Sequence, residues 1–432
     1  MTEPHADVLA QKPQPPSWYR WTVLVVISLA MFGNYYVYDS ISPIADLLKS
    51  QLNFSDTNIG WLNAIYSVPN IFMVFVGGVI IDRIGVRKGT LLFGVLCLLG
   101  AAITAASGVL TYMAIGRLVF GLGAESLIVA VTCAVAKWFK GKELSFAFGV
   151  NLTIARLGSF AALNSPTWAR PAYENWQWPL FISVVFGVFC VVGALIYWAM
   201  ENRATQRYQI GMAGETDKME FSDLFRFNKS FWLVVLMCVT FYSAIFPFQT
   251  FAIKFFIEAH GVSREYGGFL SSLLTLFAMI CTPLFGLVAD RVGKRSLFMT
   301  WGSMLLVPVY LMMAYTSIPL LVPMAMMGIA FSLIPAIMWP SVAYIVEERR
   351  IGTAYGLMTM IQNIGWGATN LLIGWANDTS RAGVENPEGY ALGMWMFTAL
   401  GVLAVLFAWL LRMHETGPNA HGLETITVSS SG

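Results

Sequence analysis

The feature that most constrains this chain is a series of long apolar runs that carry almost no charge. Residues 21–38, 90–110 and 178–200 are three of them, and each is close to the roughly 20 residues that a helix needs to cross the hydrocarbon core of a membrane. Because every backbone polar group in a bilayer must be satisfied within the protein, such runs are predicted to be helices. Only 12% of the residues are charged, about half of the roughly 25% found in soluble domains. The sequence therefore predicts an all-α, multi-pass membrane protein.

Twelve membrane spans can be counted along the chain. They are predicted at 21–43, 58–81, 89–108, 111–136, 145–168, 178–200, 231–256, 266–289, 297–316, 319–346, 352–376 and 390–411. If the N-terminus lies inside, the inner tails and loops carry 19 of the 26 Lys and Arg residues, and the outer loops and helix ends carry five. Basic residues concentrate in cytoplasmic loops, so both termini are predicted to face the cytoplasm.

The spans and the polar segments between them divide the chain into five parts. We predict a cytoplasmic N-terminal tail at 1–20, a first six-helix half at 21–200, a charged cytoplasmic linker at 201–230, a second six-helix half at 231–411 and a disordered cytoplasmic tail at 412–432. The last assignment rests on the polar composition of that tail, which offers little apolar surface to bury.

Residue patterning argues against several other function classes. The five cysteines fall within predicted helices and the four histidines in tails or loops, without the spacing of a metal site. The sequence has no basic stripe of the kind that binds nucleic acid, and no nucleophile–base arrangement, metal motif or phosphate-binding loop. We therefore expect no enzymatic activity, no cofactor, no bound metal and no nucleic-acid partner.

A doubled motif indicates two related halves. GVIIDRIGVRK (78–88) follows the second span and GLVADRVGKR (286–295) follows the eighth, and both contain Gly-x-x-x-Asp-Arg-x-Gly. Their aspartates, Asp82 and Asp290, lie 208 residues apart, about half the length of the chain. Many transporters consist of two repeated halves with the substrate site at the midplane between them. The repeat therefore favours a transporter.

The twelve spans, the doubled loop, the central linker and GRLVFGLG (116–123) on the fourth span resemble the major facilitator superfamily, over residues 20–412. The resemblance implies a fold in which the doubled loops hold neighbouring helices together at the inner face and part as the transporter opens inward. The residues to which it assigns this gating role are Asp82, Arg83, Arg87, Asp290 and Arg291. The alternative is that these charges only cap helix ends and anchor the topology.

Two opposite charges lie inside the fourth and fifth spans. Glu125 is 15 residues before Lys140, in the turn between these spans, and Arg156 is 16 residues after it. At 1.5 Å rise per residue both lie roughly 20 Å from the turn, near the middle of the bilayer. Each charge alone would cost several kcal/mol in lipid, so we expect both to face an interior cavity. A structural salt bridge is one interpretation, but such a buried pair often adds little stability. We favour two poles of a substrate site.

The chemistry of these poles suits a small zwitterion. Arginine binds a carboxylate through two parallel hydrogen bonds, and a glutamate accepts an ammonium. An extended dipeptide spans roughly 6–7 Å, which fits a gap between facing side chains. Further substrate contacts are predicted from Tyr35, Tyr38, Tyr66, Phe248, Trp339, Gln362 and Asn363. Ordinary packing is the alternative for each aromatic ring.

A closer resemblance narrows the substrate. The stretches FGNYYVYD (32–39), ARLGS (155–159) and WPSVAY (339–344) resemble a branch of the superfamily that contains a lysosomal dipeptide uniporter of animals and its bacterial relatives. The resemblance implies dipeptides, with Glu125 binding the amino end and Arg156 the carboxyl end. The N-terminal tail lacks the acidic dileucine sorting signal of the animal protein. We therefore expect a bacterial inner-membrane protein, or a lysosomal one if the source is eukaryotic.

Two further charges leave alternatives open. Asp39 ends the first span near the outer face, where it would either hydrogen-bond a helix end or bind substrate or a proton. Arg117 lies in the outer half of the fourth span and would support either packing or proton handling.

Three functions fit these features. The first is transport of dipeptides, by uniport or by proton symport, in either direction. The second is transport of a small organic anion anchored on Arg156, with Glu125 only as its structural partner. The third is a membrane receptor or scaffold that keeps the fold without transport, although the paired gating loops argue against it. We expect a monomer embedded in the lipid bilayer.

Overall fold

Long helices account for most of the chain. A computed structural model describes residues 13–139, 143–209, 227–347, 350–418 and 420–427. The long helices of this part, numbered α1 to α12, are Ser17–Asp39, Asp56–Ile84, Val86–Ala106, Leu110–Phe139, Leu144–Leu163, Gln177–Arg207, Lys229–His260, Arg264–Val292, Arg295–Tyr315, Leu321–Ile345, Ile351–Thr379 and Ala391–Glu415. Short helical segments at Ser42–Ile44, Ala45–Leu52, Ser165–Trp168, Arg170–Glu174 and Pro387–Tyr390 lie in the connections.

Most of these helices could cross a membrane. Within the described residues ten are long and apolar enough, and α2 makes eleven when Asp56–Met73 and Phe75–Ile84 are taken as one span bent by 56°. The helix α11 has 29 residues but is more polar, because amide and hydroxyl side chains recur along it. The all-α, multi-pass architecture is thus confirmed, whereas the count of twelve spans and the cytoplasmic position of both termini stay predictions.

Helix ends follow capping residues rather than the edges of the apolar runs. The helix α1 ends at Asp39, before the predicted end of the first span, and the chain continues into Ser42–Ile44. The helix α7 begins after Asn228, whose side chain accepts the N–H of Phe231 at 2.8 Å. It ends before Gly261, which has a left-handed φ of 64°. Such caps satisfy terminal N–H and C=O groups, so they shift helix ends away from the predicted limits.

The doubled motif corresponds to doubled packing. In the first half α1 packs against α5 and α6, α2 against α4, and α3 against α4 and α6. In the second half α7 packs against α11 and α12, α8 against α10, and α9 against α10 and α12. Adding six to each helix number in the first half gives the second half. The two halves are therefore structural repeats.

The halves meet along two helix pairs, and these pairs are equivalent: exchanging each helix for its counterpart in the other half converts one pair into the other. The helix α2 packs against α11, and α5 against α8. Glycines allow the backbones to approach: a Cβ on Gly60 would collide with the carbonyl oxygen of Asn370, and one on Gly268 with that of Leu163. We call the end of the bundle that carries the doubled loops the inner end, following the predicted orientation, and the opposite end the outer end.

The C-terminal tail differs from its prediction. The sequence predicts disorder from residue 412, but α12 continues to Glu415 and residues 420–427 return to the inner end of the second half. The Glu424 carboxylate accepts the N–H of Ser296 at 3.0 Å, and the Leu423 carbonyl accepts the N–H of Arg295 at 3.0 Å. Hydrogen bonds of backbone and side-chain groups, which composition does not reveal, thus hold this segment. Residues 428–432, and 210–226 of the predicted linker, lie outside the described residues.

Candidate substrate cavity

A cavity of about 230 Å³ lies between the two halves. Six long helices contribute to it: α1, α2 and α5 from the first half, and α7, α8 and α10 from the second. Its lining consists of Tyr35, Tyr38, Asp39, Ser42, Asn63, Arg156, Ser159, Leu163, Tyr242, Phe246, Gln249, Thr250, Leu274, Thr275 and Phe331. The first half supplies both charged residues of this lining, Asp39 and Arg156. The second half supplies neutral polar, aliphatic and aromatic side chains.

Arg156 enters the cavity from α5. Its guanidinium carbon lies 5.5 Å from the centre of the Phe331 ring, a cation–π contact that orients the group without using its N–H donors. Tyr35 and Tyr242 lie within electrostatic range of it. In the part of the chain that the structure describes, no carboxylate lies within 4.0 Å of this guanidinium. Its hydrogen-bonding edge is therefore available to a ligand.

Glu125 does not pair with Arg156. It is half-buried on α4 and is not part of the cavity lining. Among the described residues it forms no ion pair or hydrogen bond. Tyr35 lies within electrostatic range of both Glu125 and Arg156. The structure thus contains no salt bridge between the two charges, and Tyr35 is the residue that connects their surroundings.

A chain of aromatic rings crosses between the halves beside the cavity, and three of these rings, Tyr38, Phe246 and Phe331, belong to the cavity lining. Tyr38 packs against Tyr66 with ring centres 5.0 Å apart and against Trp366 at 5.6 Å. Trp366 stacks on Phe246 at 4.4 Å, and Phe246 meets the Phe331 ring edge-on at 5.7 Å. The Nε1–H of Trp366 is buried and has no hydrogen-bond partner in the described structure. Tyr66 is not part of the cavity lining but packs against the lining residue Tyr38.

The sequence-based prediction did not include the aromatic residues that the second half contributes to this chain of rings. Tyr242 and Phe246 are four residues apart on α7, the spacing that places two side chains on one helix face. Phe331 on α10 and Trp366 on α11 complete the group. The i, i+4 spacing on α7 was a usable signal. No comparable signal singles out Phe331 or Trp366 among the many aromatic residues of the chain.

The structure places the other predicted contacts of the second half outside the cavity lining. Phe248 is buried in the core, with ring centres 5.5 Å from Tyr310 and 5.8 Å from Phe397. Trp339 donates its Nε1–H to the Tyr242 hydroxyl at 3.0 Å, so it supports a lining residue.

Two amides on α11 also lie outside this lining. Gln362 accepts a weak hydrogen bond from the thiol of Cys238 at 3.6 Å. The buried Asn363 donates to the carbonyl of Thr359 at 3.0 Å.

Arg117 is buried, and its guanidinium donates hydrogen bonds mainly to backbone carbonyls. Its guanidinium donates to the carbonyls of Val37 at 3.3 Å, Tyr38 at 3.4 Å and Leu62 at 3.4 Å, and to the Asn63 side chain at 3.3 Å. These bonds join α4 to the end of α1 and to α2. Of the two interpretations of Arg117, this placement favours packing.

Buried charges hold the two halves together at the outer end. The Lys254 ammonium lies 2.9 Å from the Asp56 carboxylate and 3.0 Å from that of Glu258, and the Lys254 and Asp56 side chains are fully buried. Lys254 also donates to the Tyr390 hydroxyl at 2.7 Å. Lys254 belongs to α7 and Asp56 to α2, so this cluster crosses between the halves.

Two further polar contacts close the same end. Arg264 forms two hydrogen bonds of 2.5 Å with the Asp46 carboxylate. The Asp378 carboxylate accepts the N–H groups of Asp56 and Thr57 at 2.8 Å each. The outer end is therefore closed by ion pairs and hydrogen bonds between the halves.

The predicted gating residues lie at the inner end. Asp290 pairs with Arg295 at 2.9 Å, within the second half. Arg87 lies 3.5 Å from the Glu201 carboxylate, within the first half. Asp82, Arg83 and Arg291 are exposed. The Arg87 and Asp290 contacts thus each join helices of one half, and the gating role of these residues stays a prediction.

Comparison with known proteins agrees with this architecture. The sequence profile of the Major Facilitator Superfamily matches residues 27–369 and 248–429. The chain is 32% identical over 418 residues to the lysosomal dipeptide transporter MFSD1 of Bos taurus, covering 93% of this chain and 87% of that protein. It is 31% identical over 417 residues to the Homo sapiens protein of the same name, covering 92% and 88%.

A solved structure shares the fold. A bacterial homologue of the human lysosomal transporter Spinster, in an inward-facing and occupied conformation, superposes with a TM-score of 0.71. Its sequence is 17% identical, and the match covers 92% of this chain and 97% of that one. These relatives are transporters rather than enzymes, in agreement with the expectation from the sequence.

Proposed function

The chain belongs to the major facilitator superfamily of membrane transporters, and on that basis we propose that it carries dipeptides across the membrane by alternating access. The observation that carries the proposal is Arg156, an arginine on the wall of a small cavity between two repeated halves, for which the described residues provide no ion-pair partner. The relatives named dipeptide transporters support this substrate class.

Arg156 is suited to a terminal carboxylate. An unpaired guanidinium in a partly desolvated cavity gains more from two charge-assisted hydrogen bonds than it would in water. The Phe331 ring holds the guanidinium from one face, so its N–H edge is oriented before the ligand arrives. The aromatic side chains Tyr35, Tyr38 and Phe246 of the lining would contact the apolar parts of the substrate.

Transport requires the outer end to open and the inner end to close. In the state described here the Lys254–Asp56 and Arg264–Asp46 pairs close the outer end. Opening it separates these pairs and exposes them to water, where carboxylates and amines are well solvated. We propose that the doubled loops at the inner end, including Asp82, Arg83, Arg87, Asp290 and Arg291, take over the closure in the opposite state.

Thermal unfolding of the purified protein in detergent tests the substrate class. The panel is single amino acids, dipeptides, tripeptides and dicarboxylates, each applied to the wild type, to Arg156→Gln and to Arg203→Gln. Arg203 is exposed at the inner end and serves as the matched control. A ligand at 100 times its dissociation constant stabilises a protein by about 2.7 kcal/mol. We expect dipeptides to stabilise the wild type and Arg203→Gln but not Arg156→Gln.

Each other result points to a different function. Stabilisation by dicarboxylates and not by dipeptides would favour an organic-anion transporter anchored on Arg156. If no member of the panel stabilises the wild type, the receptor or scaffold interpretation gains support. A dipeptide response that survives in Arg156→Gln would remove Arg156 from the site.

A further inference from the structure

The C-terminal segment 420–427 docks on the inner end of the second half. Its residue Leu423 is fully buried in the core, and the Leu423 carbonyl accepts the N–H of Arg295 at 3.0 Å. The Glu424 carboxylate accepts the N–H of Ser296, in the first turn of α9, at 3.0 Å. Because Arg295 is the last residue of the second doubled loop, the segment is attached to that loop.

Two residues that bind this segment also hold the inner end of α10. The Asn228 amide nitrogen donates to the Ile345 carbonyl at 2.8 Å and lies 3.0 Å from Nε2 of His421. The Arg295 guanidinium donates to a carbonyl of the segment, and its carbon lies 4.8 Å from the centre of the Tyr344 ring. The helix α10 ends at Ile345, so the segment is connected to the last turn of this helix at two points.

The helix α10 contains two prolines between its cavity residue and its inner end. Pro335 and Pro340 lie between Phe331, which lines the cavity, and Ile345. A proline inside a helix removes a backbone hydrogen bond and kinks the helix, so the part beyond Pro340 can change its angle to the cavity part. We propose that segment 420–427 is a brace that holds this inner part of α10 while the outer end is closed. Its release lets the inner part of α10 move and close the inner end. The inference rests on the proposed transport but not on the identity of the substrate.

His421 attaches the brace through both of its ring nitrogens. The Asn228 side-chain oxygen accepts the N–H of Phe231 at 2.8 Å, which directs the amide NH2 group toward His421. Nε2 of His421 therefore accepts a hydrogen bond, and Nδ1 carries the proton and donates it to the Glu415 carboxylate at 2.8 Å. His414, Glu415 and His421 lie close enough to hold a metal ion, but this tautomer leaves no lone pair of His421 for one. The cluster is thus a hydrogen-bonded attachment of the brace.

Glu415, the last residue of α12, anchors this attachment. Its side chain is fully buried. One carboxylate oxygen accepts the backbone N–H of His421 at 2.8 Å, and the other accepts the Ser230 hydroxyl at 2.6 Å as well as the His421 ring. A buried carboxylate that loses hydrogen-bond donors is destabilised. Detachment of His421 therefore requires water to replace it at Glu415, which keeps the brace in place in the outer-closed state.

The first half forms the corresponding brace within its helices. Near the inner end of α6 the buried Glu201 carboxylate pairs with the Lys137 ammonium at 2.7 Å. Lys137 belongs to α4, the counterpart of α10, and Ile345 lies 208 residues after it, the offset between the two doubled loops. Isoleucine cannot form this ion pair, so in the second half segment 420–427 makes the connection between α12 and α10. A segment outside the long helices can detach without unfolding one, whereas Lys137 cannot.

Hydrogen–deuterium exchange of the full chain in detergent tests the brace without any substrate. The variants are a chain that lacks residues 420–432, His421→Ala, and His260→Ala, which replaces an exposed histidine at the outer end and is the matched control. We expect the amides of 341–346 to exchange at least about tenfold faster in the first two variants, because loss of hydrogen bonds favours local opening. Exchange at 134–139, the inner end of α4, should stay at the wild-type rate, as should all exchange in His260→Ala.

Two further measurements connect the brace to the transport cycle. In the chain that lacks residues 420–432, Ile345→Lys supplies the amine that Lys137 supplies to the first half, and we expect it to restore slow exchange of 341–346. In the same shortened chain a cysteine at Asn63, on the cavity wall, should be labelled from the outer side at least about twofold faster, because the population shifts away from the outer-closed state.

Three results would overturn the inference. They are wild-type exchange of 341–346 in the shortened chain and His421→Ala, an equal rise of exchange throughout the second half, which indicates a general loss of stability, and unchanged labelling at Asn63. If exchange and labelling respond as expected but the wild type transports no dipeptide, the brace stands and the proposed substrate has failed.

Discussion

Arg156 is oriented by the Phe331 ring rather than by a carboxylate of the described residues, and this has a consequence for substitution. Lysine keeps the charge of arginine but lacks the planar fork that forms two parallel hydrogen bonds and stacks on a ring. We expect Arg156→Lys to weaken binding of dipeptides by about tenfold or more, as measured by ligand-dependent unfolding. Binding of Arg156→Lys at the wild-type level would show that a point charge is sufficient and that the bidentate carboxylate site is wrong.

Lys254 gives a second residue-scale prediction. Lys254→Met leaves Glu258 without this cation and leaves the buried Asp56 carboxylate with only the partly exposed Lys49 ammonium, 3.7 Å away. Breaking a buried pair costs about 3–5 kcal/mol. Because the Lys254–Asp56 contact exists only when the halves meet, the cost of losing that contact falls on the outer-closed state. We expect the variant to expose a cysteine placed at Asn63 to faster labelling by an impermeant thiol reagent from the outer side.

The control for this experiment is Arg170→Gln. Arg170 pairs with Glu265 at 3.0 Å, but its side chain is 81% exposed, and exposed pairs contribute about 0–1 kcal/mol. Its labelling rate should match that of the parent. Equal rates in Lys254→Met and Arg170→Gln would mean that the buried cluster does not hold the outer end closed.

Residue identity alone does not show which side chains reach the cavity. Phe246 and Phe248 are two positions apart on α7, which turns them about 200° relative to each other at 3.6 residues per turn. Phe246 lines the cavity and Phe248 lies in the core. The sequence pointed to a helix that lines the cavity but not to the side of it that faces the cavity, because both faces of α7 are apolar and buried.

At the scale of elements, the close contact of α2 with α11 depends on a small residue. Gly60→Ala places a methyl group against the backbone carbonyl of Asn370, which cannot move aside without shifting α11. We expect this substitution to disfavour the outer-closed state and to slow transport of dipeptides into proteoliposomes, with ligand binding less affected.

Gly149→Ala is the matched control. No heavy atom lies within 4 Å of the position that its Cβ would occupy, and alanine is a better helix former than glycine by about 1 kcal/mol. Transport by Gly149→Ala should therefore equal that of the wild type. Equal transport by Gly60→Ala would show that the α2–α11 contact loosens during the cycle without cost.

The helices themselves were largely predictable, and their partners were not. Apolar run length marks a helix, and the doubled loop marks the repeat. The pairing of α2 with α11 and of α5 with α8 joins positions hundreds of residues apart, so no local pattern shows it. Lys254 is one of the five outer basic residues counted from the sequence, and nothing near it in the sequence identifies its partner Asp56, 198 positions earlier.

For the whole molecule, alternating access requires the outer end to separate. Cysteines at Asp46 and Arg264, joined by a short bifunctional thiol reagent, would replace an ion pair between the halves with a covalent one. We expect cross-linking to abolish transport while dipeptides still stabilise the protein in detergent, and a reducible linker to restore transport after reduction. Transport that continues at full rate after complete cross-linking would contradict the rocking of one half against the other.

The uneven division of charge between the halves has a mechanical consequence. Asp39, Arg156 and Glu125 all belong to the first half, and the second half faces the cavity with rings, amides and hydroxyls. A zwitterion bound as proposed would therefore form its ionic contacts with the first half and only uncharged contacts with the second. The second half could then move relative to the bound substrate without first breaking an ionic contact to it. Contacts with the first half would then set how long the substrate stays bound. The movement of the second half would set how fast the transporter changes between its outer-closed and outer-open states.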